Sequence, residues 1–160
     1  MWTIASQSPD DPDAATTIRD YIGEVWSRYY GRPAAPHDID AVLVKEPADD
    51  LVPPGGTFLL ARNERDGTVA GCAGVRLLDP RTAELTKLFV YPAARRWGCA
   101  TRLLRAAEDA ARALGAHIVR LHTRRDLVEA RRFYAARGYA DAEPYLTGPL
   151  VDYSFAKTLR

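Results

Sequence analysis

The stretch with the clearest chemical potential reads Leu88-Phe89-Val90-Tyr91-Pro92-Ala93-Ala94-Arg95-Arg96-Trp97-Gly98-Cys99-Ala100-Thr101-Arg102-Leu103-Leu104. A strand-like run closes at Pro92, a basic loop with one glycine follows, and a helical pattern opens within a few residues. Such a joint aims several backbone N–H groups without intrahelical acceptors, together with the positive end of a helix, at one point. That is a ready site for phosphate. Gly98 allows close backbone approach, Ala100 keeps it unobstructed, and Arg95 and Arg96 add charge. Neither the dinucleotide-binding glycine spacing nor the Walker spacing occurs. An ordinary strand–loop–helix joint with an arginine-rich surface fits the same residues, and at this point both readings stand.

Several elements must position this loop. After a first strand over Trp2–Ala5, Asp13 can cap a helix whose face is Ile18, Tyr21, Ile22, Val25, Trp26 and Tyr29, stopped by Gly31. A short helix fits Asp38–Lys45, and Pro53-Pro54-Gly55-Gly56 breaks the chain. Thr57–Arg62 and Thr68–Leu77 read as strands around the hairpin dipeptide Asp66-Gly67, with Glu84–Tyr91 as a third. The best helix is Cys99–Leu114, with Leu103, Leu104, Ala107, Ala110, Ala111 and Leu114 as its apolar stripe. Outside that stripe, Arg105/Asp109 and Glu108/Arg112 are spaced four apart. A strand over Ile118–His122 follows, then a helix opened by Asp126 with Glu129 three residues on, in the manner of a capping box, ending at Gly138. Strands near Ala142–Thr147 and Asp152–Thr158 finish the chain. The pattern predicts one mixed α/β domain over residues 1–160.

Val90-x-Pro92-x-x-Arg95-x-x-Gly98-x-Ala100 resembles the acetyl-CoA signature of the GNAT N-acetyltransferase superfamily. A second segment, Ala130-x-x-Phe133-Tyr134-x-x-x-Gly138-Tyr139, is similar to the family's Ala-x-x-Leu-Tyr-x-x-x-Gly-Phe motif, and the resemblance spans about residues 57–158. It implies a GNAT-like acyl-CoA N-acyltransferase fold: a mixed, mostly antiparallel sheet of about six or seven strands flanked by about four helices. The co-substrate would be acetyl-CoA, without a metal. Backbone groups of Leu88, Phe89 and Val90 would pair with the pantetheine arm as with an added strand. Main-chain N–H groups of Arg96, Trp97, Gly98, Cys99, Ala100 and Thr101 would wrap the pyrophosphate, with Arg95 closing or bracing the loop. Tyr134 would protonate the departing thiolate. The chain departs from the pattern where Arg96 replaces a frequent glycine, where bulky Trp97 follows, and where Leu127 stands for a frequent asparagine.

Glu84 is the candidate base: simple alternation gives it a face with Thr86, Leu88 and Val90, beside the groove. His122, at the end of the neighbouring strand, is another. An amine of pKa ~10.4 is about a thousandfold protonated at neutral pH, so supplying the free amine costs about 4 kcal/mol, which a base addresses. Main-chain donors near Phe89 and Val90 would stabilise the developing oxyanion, typically by ~3–4 kcal/mol per donor. Cys99 opens a helix, where thiol acidity can increase, although the motif makes it an apolar loop residue.

Composition excludes other classes. With 47% hydrophobic and 27% charged residues the chain is ordinary for a globular protein, and no apolar run nears the ~18 residues of a membrane span. Two cysteines, Cys72 and Cys99, make no disulfide framework, and His37, His117 and His122 show no ligand spacing with them. Free thiols and the lack of a secretory pattern at Met1–Gln7 point to the cytoplasm. The net charge of +1 conceals an asymmetry: residues 1–54 hold four basic against ten acidic residues, and residues 95–137 hold eleven arginines against four acids. Two poles of this kind suit an anionic ligand at one end and a cationic one at the other, or are two solvated faces. The leading function is an acetyl-CoA-dependent N-acetyltransferase acting on a small-molecule amine, with residues 1–56 shaping the acceptor side and 57–158 the coenzyme core. A non-catalytic acyl-CoA-binding or regulatory module is the alternative. Nucleic-acid binding ranks last, since the arginines lack interleaved aromatics. An exposed sheet edge near the C-terminus could pair two chains as a homodimer.

Overall fold

A computed structural model describes residues 1–148 and 150–160. The described elements, in chain order, are β1 (Trp2–Ser6), α1 (Pro12–Tyr30), α2 (Pro36–Lys45), β2 (Gly56–Asn63), β3 (Val69–Asp79), β4 (Thr82–Val90), a 3₁₀ turn (Pro92–Ala94), α3 (Cys99–Ala113), β5 (Ile118–Thr123), α4 (Val128–Ala135), β6 (Ala140–Asp141) and β7 (Tyr153–Thr158). They form a seven-stranded sheet in the order β1-β2-β3-β4-β5-β7-β6. Among the described residues only the β4–β5 pair is parallel, and the other pairs are antiparallel. This is the mixed, mostly antiparallel sheet with four helices that the family resemblance implies.

The helices cover opposite faces. Leu103, Leu104, Ala107 and Ala111 of α3 bury against Ala83 and Leu85 of β4 and Val119 and Leu121 of β5. Ala14, Ile18 and Ile22 of α1 pack with Leu51 on Phe58, Leu60, Cys72 and Phe89. Tyr21 of the expected α1 face packs on this cluster, but Trp26 and Tyr29 do not join it: both stack on Tyr30 near the surface. Helix α1 also begins earlier than expected, at Asp11 with Pro12 in the first turn, a position that tolerates a missing N–H. Asp13 lies inside that turn and pairs with Arg62.

Three other expectations are corrected. Glu108 forms no exposed pair with Arg112; it is buried, accepting from the Tyr139 hydroxyl at 2.9 Å and the Lys157 ammonium at 3.0 Å. Arg112 turns instead to Asp109. Asp126 and Glu129 make no capping box, because Arg124 claims Asp126 and Arg28 of α1 claims Glu129. The expected strand over Ala142–Thr147 is reduced to Ala140–Asp141, after which the chain leaves the sheet at Pro144, a residue without a ladder donor.

The decisive irregularity is in β4. Its register with β3 passes from Gly74↔Thr86 to Cys72↔Phe89, so β4 carries one extra residue there, and Lys87 takes a left-handed φ of 57°. A bulge reverses the side-chain alternation and bends the strand. Ala83 and Leu85 before it, and Leu88 and Val90 after it, all lie toward α3, whereas Phe89 joins the core under α1. Glu84 therefore does not share a face with Leu88 and Val90; it lies on the α1–α2 side, with Phe89. The Cys72 thiol donates to the Lys87 carbonyl at 3.2 Å and holds the bulge. Beyond it, pairing with β5 is gone: the ladder runs only from Thr82↔Ile118 to Glu84↔Arg120.

Gly71, opposite Val90, is glycine because a Cβ there would meet the Phe89 carbonyl oxygen at 2.3 Å and Leu103 Cδ1 at 3.1 Å. Gly71→Ala should destabilise the fold by about 1–3 kcal/mol through overpacking, read from the urea midpoint. A change below about 0.5 kcal/mol, the usual size for unstrained surface sites, would show that the β3–β4 spacing is not tight there.

Candidate active site

The loop after Pro92 is built from alternating backbone conformations. Arg95 is extended, Arg96 has φ 70° and Gly98 has φ 84°, the latter serving as the N-cap of α3. Successive N–H groups in such alternating turns converge into a concave anion site. Among the described residues, the N–H groups of Arg96, Trp97, Gly98, Cys99, Ala100 and Thr101 donate to no protein acceptor; the first donor of the helix is Arg102, to the Gly98 carbonyl at 3.2 Å. The space above Gly98 is open, since a Cβ there would meet nothing within 4 Å. The side chain of Trp97, 65% exposed, and that of Arg96 lie in solvent. Arg96 holds a left-handed conformation that an L side chain adopts at a cost of about 1–2 kcal/mol, which gives the physical reason a glycine suits this position.

Arg95 braces the loop. Its Nε donates to the Val90 carbonyl at 2.8 Å and its Nη2 reaches the Glu24 carboxylate of α1 at 2.6 Å. Arg137 was not anticipated: it donates to the Thr101 hydroxyl through Nη2 at 2.9 Å and to the Phe133 carbonyl through Nη1 at 3.0 Å, tying α4 to the first turn of α3. Its position directly before Gly138 in the second motif was the available signal. Thr101 is thus positioned from two sides.

A slit opens from this loop between the unpaired edges of β4 and β5. Leu88, Phe89 and Val90 line its β4 edge, and the six residues past Glu84 correspond to roughly 20 Å of strand at ~3.3 Å per residue. Tyr134 of α4 is buried, edge-on to Tyr139 with ring centroids 5.6 Å apart. Its hydroxyl makes no hydrogen bond among the described residues. Burial, reinforced by the nearby Tyr21 phenol, pushes its pKa up, so the proton is retained at neutral pH. Tyr21 of α1 is itself edge-on to Phe89 at 5.9 Å, so the two tyrosines approach one another near Phe89.

Glu84 lies at the closed end of the slit, 1% exposed and fully engaged. Arg76 of β3 donates to Oε1 through Nε at 2.8 Å and Nη2 at 2.7 Å, and the Tyr145 hydroxyl donates to Oε2 at 2.7 Å. Burial and then the Glu84 carboxylate push the Tyr145 phenol's pKa up. His122 projects on the same side of β5 as Arg120, its ring 6.2 Å from that of Tyr145. Neither Arg76 nor Tyr145 was singled out in the sequence, since neither belongs to a motif.

The two charge blocks meet in two ion pairs, Glu24 with Arg95 and Arg28 with Glu129, while Asp13 and Asp50 pair with Arg62 and Arg76 of the intervening strands. The thiols are inert: burial pushes Cys99 up to about 11, overriding any gain from the helix start, and pushes Cys72 up further. No helix among the described residues is long and apolar enough to cross a membrane.

Comparison with known proteins agrees with this geometry. The family model described as Acetyltransferase (GNAT) family matches residues 18–139. The chain is 32% identical over 150 residues to an IAA acetyltransferase of Azospirillum brasilense, covering 89% of this chain and 87% of that one. Its fold is similar to that of a GNAT-family acetyltransferase from Staphylococcus aureus Mu50 (TM-score 0.79, 17% identity, all of both chains covered). It is likewise similar to the PaiA N-acetyltransferase of Thermoplasma acidophilum in complex with coenzyme A (TM-score 0.74, 21% identity, 99% of both chains). The chain belongs to the acetyltransferase (GNAT) family, as an N-acetyltransferase whose co-substrate is acetyl-CoA.

Proposed function

We propose that the protein moves an acetyl group from acetyl-CoA to a primary amine of a small molecule, by direct transfer in a ternary complex. The observation that carries this reading is the run of six consecutive main-chain N–H groups, Arg96–Thr101, that lack protein acceptors at the mouth of an unpaired strand slit. Those donors suit a diphosphate, and Arg95, Arg96 and Arg137 supply positive charge around it. The free edge of Leu88, Phe89 and Val90 suits an extended arm carrying amides, which pairs with it as an added strand. Acetyl-CoA supplies the activated acyl group.

This chain's residues do the rest. Tyr134, protonated and without a competing partner, donates its proton to the leaving thiolate. The main-chain N–H of Val90, on the edge of β4 away from β3, stabilises the oxygen that gains charge. Glu84 receives the amine proton through a water, because both of its oxygens already accept hydrogen bonds. The helices of residues 1–56 bound the acceptor side, and the reaction is assigned to the cytoplasm.

Titration calorimetry with acetyl-CoA tests the central observation: binding is expected, and no heat at high protein concentration would remove the proposal. Gly98→Val, which puts a β-branched residue at φ 84° and a side chain into the phosphate approach, should weaken acetyl-CoA binding about tenfold or more. Tyr134→Phe should lower kcat by about 10² while leaving the acetyl-CoA Kd unchanged; full turnover in that variant would make Tyr134 a packing residue and favour a binding module. Because the Tyr134 pKa is raised, its proton remains in place as pH rises from 7 to 9. Over that range kcat/KM should climb with the free-amine fraction of the acceptor, and a fall would contradict the assignment.

A further inference from the structure

On the sheet face beneath α1, α2 and the loop between β6 and β7, two cations, Lys87 and Arg120, touch no carboxylate among the described residues. Lys87, on the β4 bulge, is 8% exposed, and its ammonium makes neither a hydrogen bond nor an ion pair among the described residues. Burial lowers its pKa, with Glu46 and Glu84 acting in the opposite sense and Arg76 adding to the depression. Arg120 of β5 is the register partner of Glu84, yet it has no carboxylate: its Nη2 donates to the Glu143 carbonyl and its guanidinium lies over the Tyr145 ring at 4.8 Å. Its Nε is buried without a partner. The carboxylate that would answer it is taken, because Arg76 and Tyr145 use both oxygens of Glu84. Ser154, opposite His122 in register and on the face of Arg120, buries a hydroxyl that also has no partner.

Buried cations and polar groups without partners are costly and persist where a ligand completes them. Lys87 and Arg120 border the same widening stretch of the split, separated by about three residues of strand, roughly 10 Å, within the reach of two long side chains. Resting on the N-acetyl-transfer reading above, we infer that the acceptor carries a carboxylate beside its amine: Lys87 and Arg120 receive the carboxylate, the Ser154 hydroxyl adds a donor, and the amine faces Glu84. The acceptor class is then an amino acid or a compound with the same pair of groups, and not a polyamine, which Lys87 and Arg120 would repel. Of the acidic residues in the first fifty positions, Asp13, Glu24 and Asp50 are held in ion pairs with arginines, and Glu46 acts on Lys87 without pairing with it.

The test compares matched acceptors: amino acids, their carboxamides and the corresponding decarboxylated amines, with spermidine as a cationic control. For the acid form we expect a kcat/KM at least about tenfold above its carboxamide, as for a desolvated charge pair. Calorimetric titration of the same amino acid into protein saturated with coenzyme A should show binding that the carboxamide lacks. Lys87→Met and Arg120→Gln should each raise the KM for the acid about tenfold or more, with the acetyl-CoA Kd unchanged and the carboxamide little affected. Since the two substitutions lie on different strands, either one suffices if the other does not fold. Turnover of carboxamides, amines or spermidine as well as the acids overturns this inference and leaves N-acetyl transfer standing. Binding of acetyl-CoA with no amine turned over overturns both.

Discussion

The residue that has no counterpart on β3 sets the geometry of everything else. With one extra residue at Lys87, β4 bends away from β5 and the parallel ladder ends after three paired residues. A regular strand would have paired along its length and consumed the backbone groups of Leu88 and Val90 that face away from β3. The bulge also turns Glu84 to the α1–α2 side while sending Leu88 and Val90 toward α3, so a single strand presents a carboxylate to one face and apolar side chains to the other. The Cys72 thiol on the Lys87 carbonyl and the close approach at Gly71 keep that distortion in place.

Charge performs a second structural task. Arg95 of the loop before α3, Arg124 before α4, Glu129 in α4 and Tyr91 just after β4 all reach α1: Glu24 takes Arg95, Arg124 lies over the Tyr29 ring, Arg28 takes Glu129, and Asp20 accepts from Tyr91 at 2.5 Å. Each exposed pair is worth at most about 1 kcal/mol. Together they hold α1 over the slit, where Tyr21 meets Phe89. Separation of acid and base along the sequence thus becomes attachment across it, leaving Lys87 and Arg120 as cations that touch no carboxylate among the described residues.

The local parts of this arrangement were legible in the sequence. A strand closed by Pro92, a loop with Gly98 and a helix stripe through Leu103 and Leu104 depend on near neighbours, and their order gave the donors and their place. Tyr134 could be located because its motif is local, running from α4 through the turn that follows it. A one-residue bulge is different: alternation in Glu84–Val90 looks regular, so the reversed face of Glu84 was hidden until the register with β3 was known. Its partners Arg76 and Tyr145 come from a strand and a loop 61 residues apart from it at the furthest, and no spacing rule connects them. Asp126 and Glu129 misled for a related reason, since a cap is a local preference that Arg124 and Arg28 outcompete from elsewhere.

Both sulfhydryls are enclosed, and their acidity is suppressed by their surroundings. An acetyltransferase releases one molecule of free coenzyme thiol in every cycle, and thiol–disulfide exchange requires an accessible thiolate. The native chain therefore offers no handle by which its own product could become attached to it as a mixed disulfide under oxidation. For the same reason a chromogenic thiol reagent added to the folded enzyme counts turnover without a background from the protein.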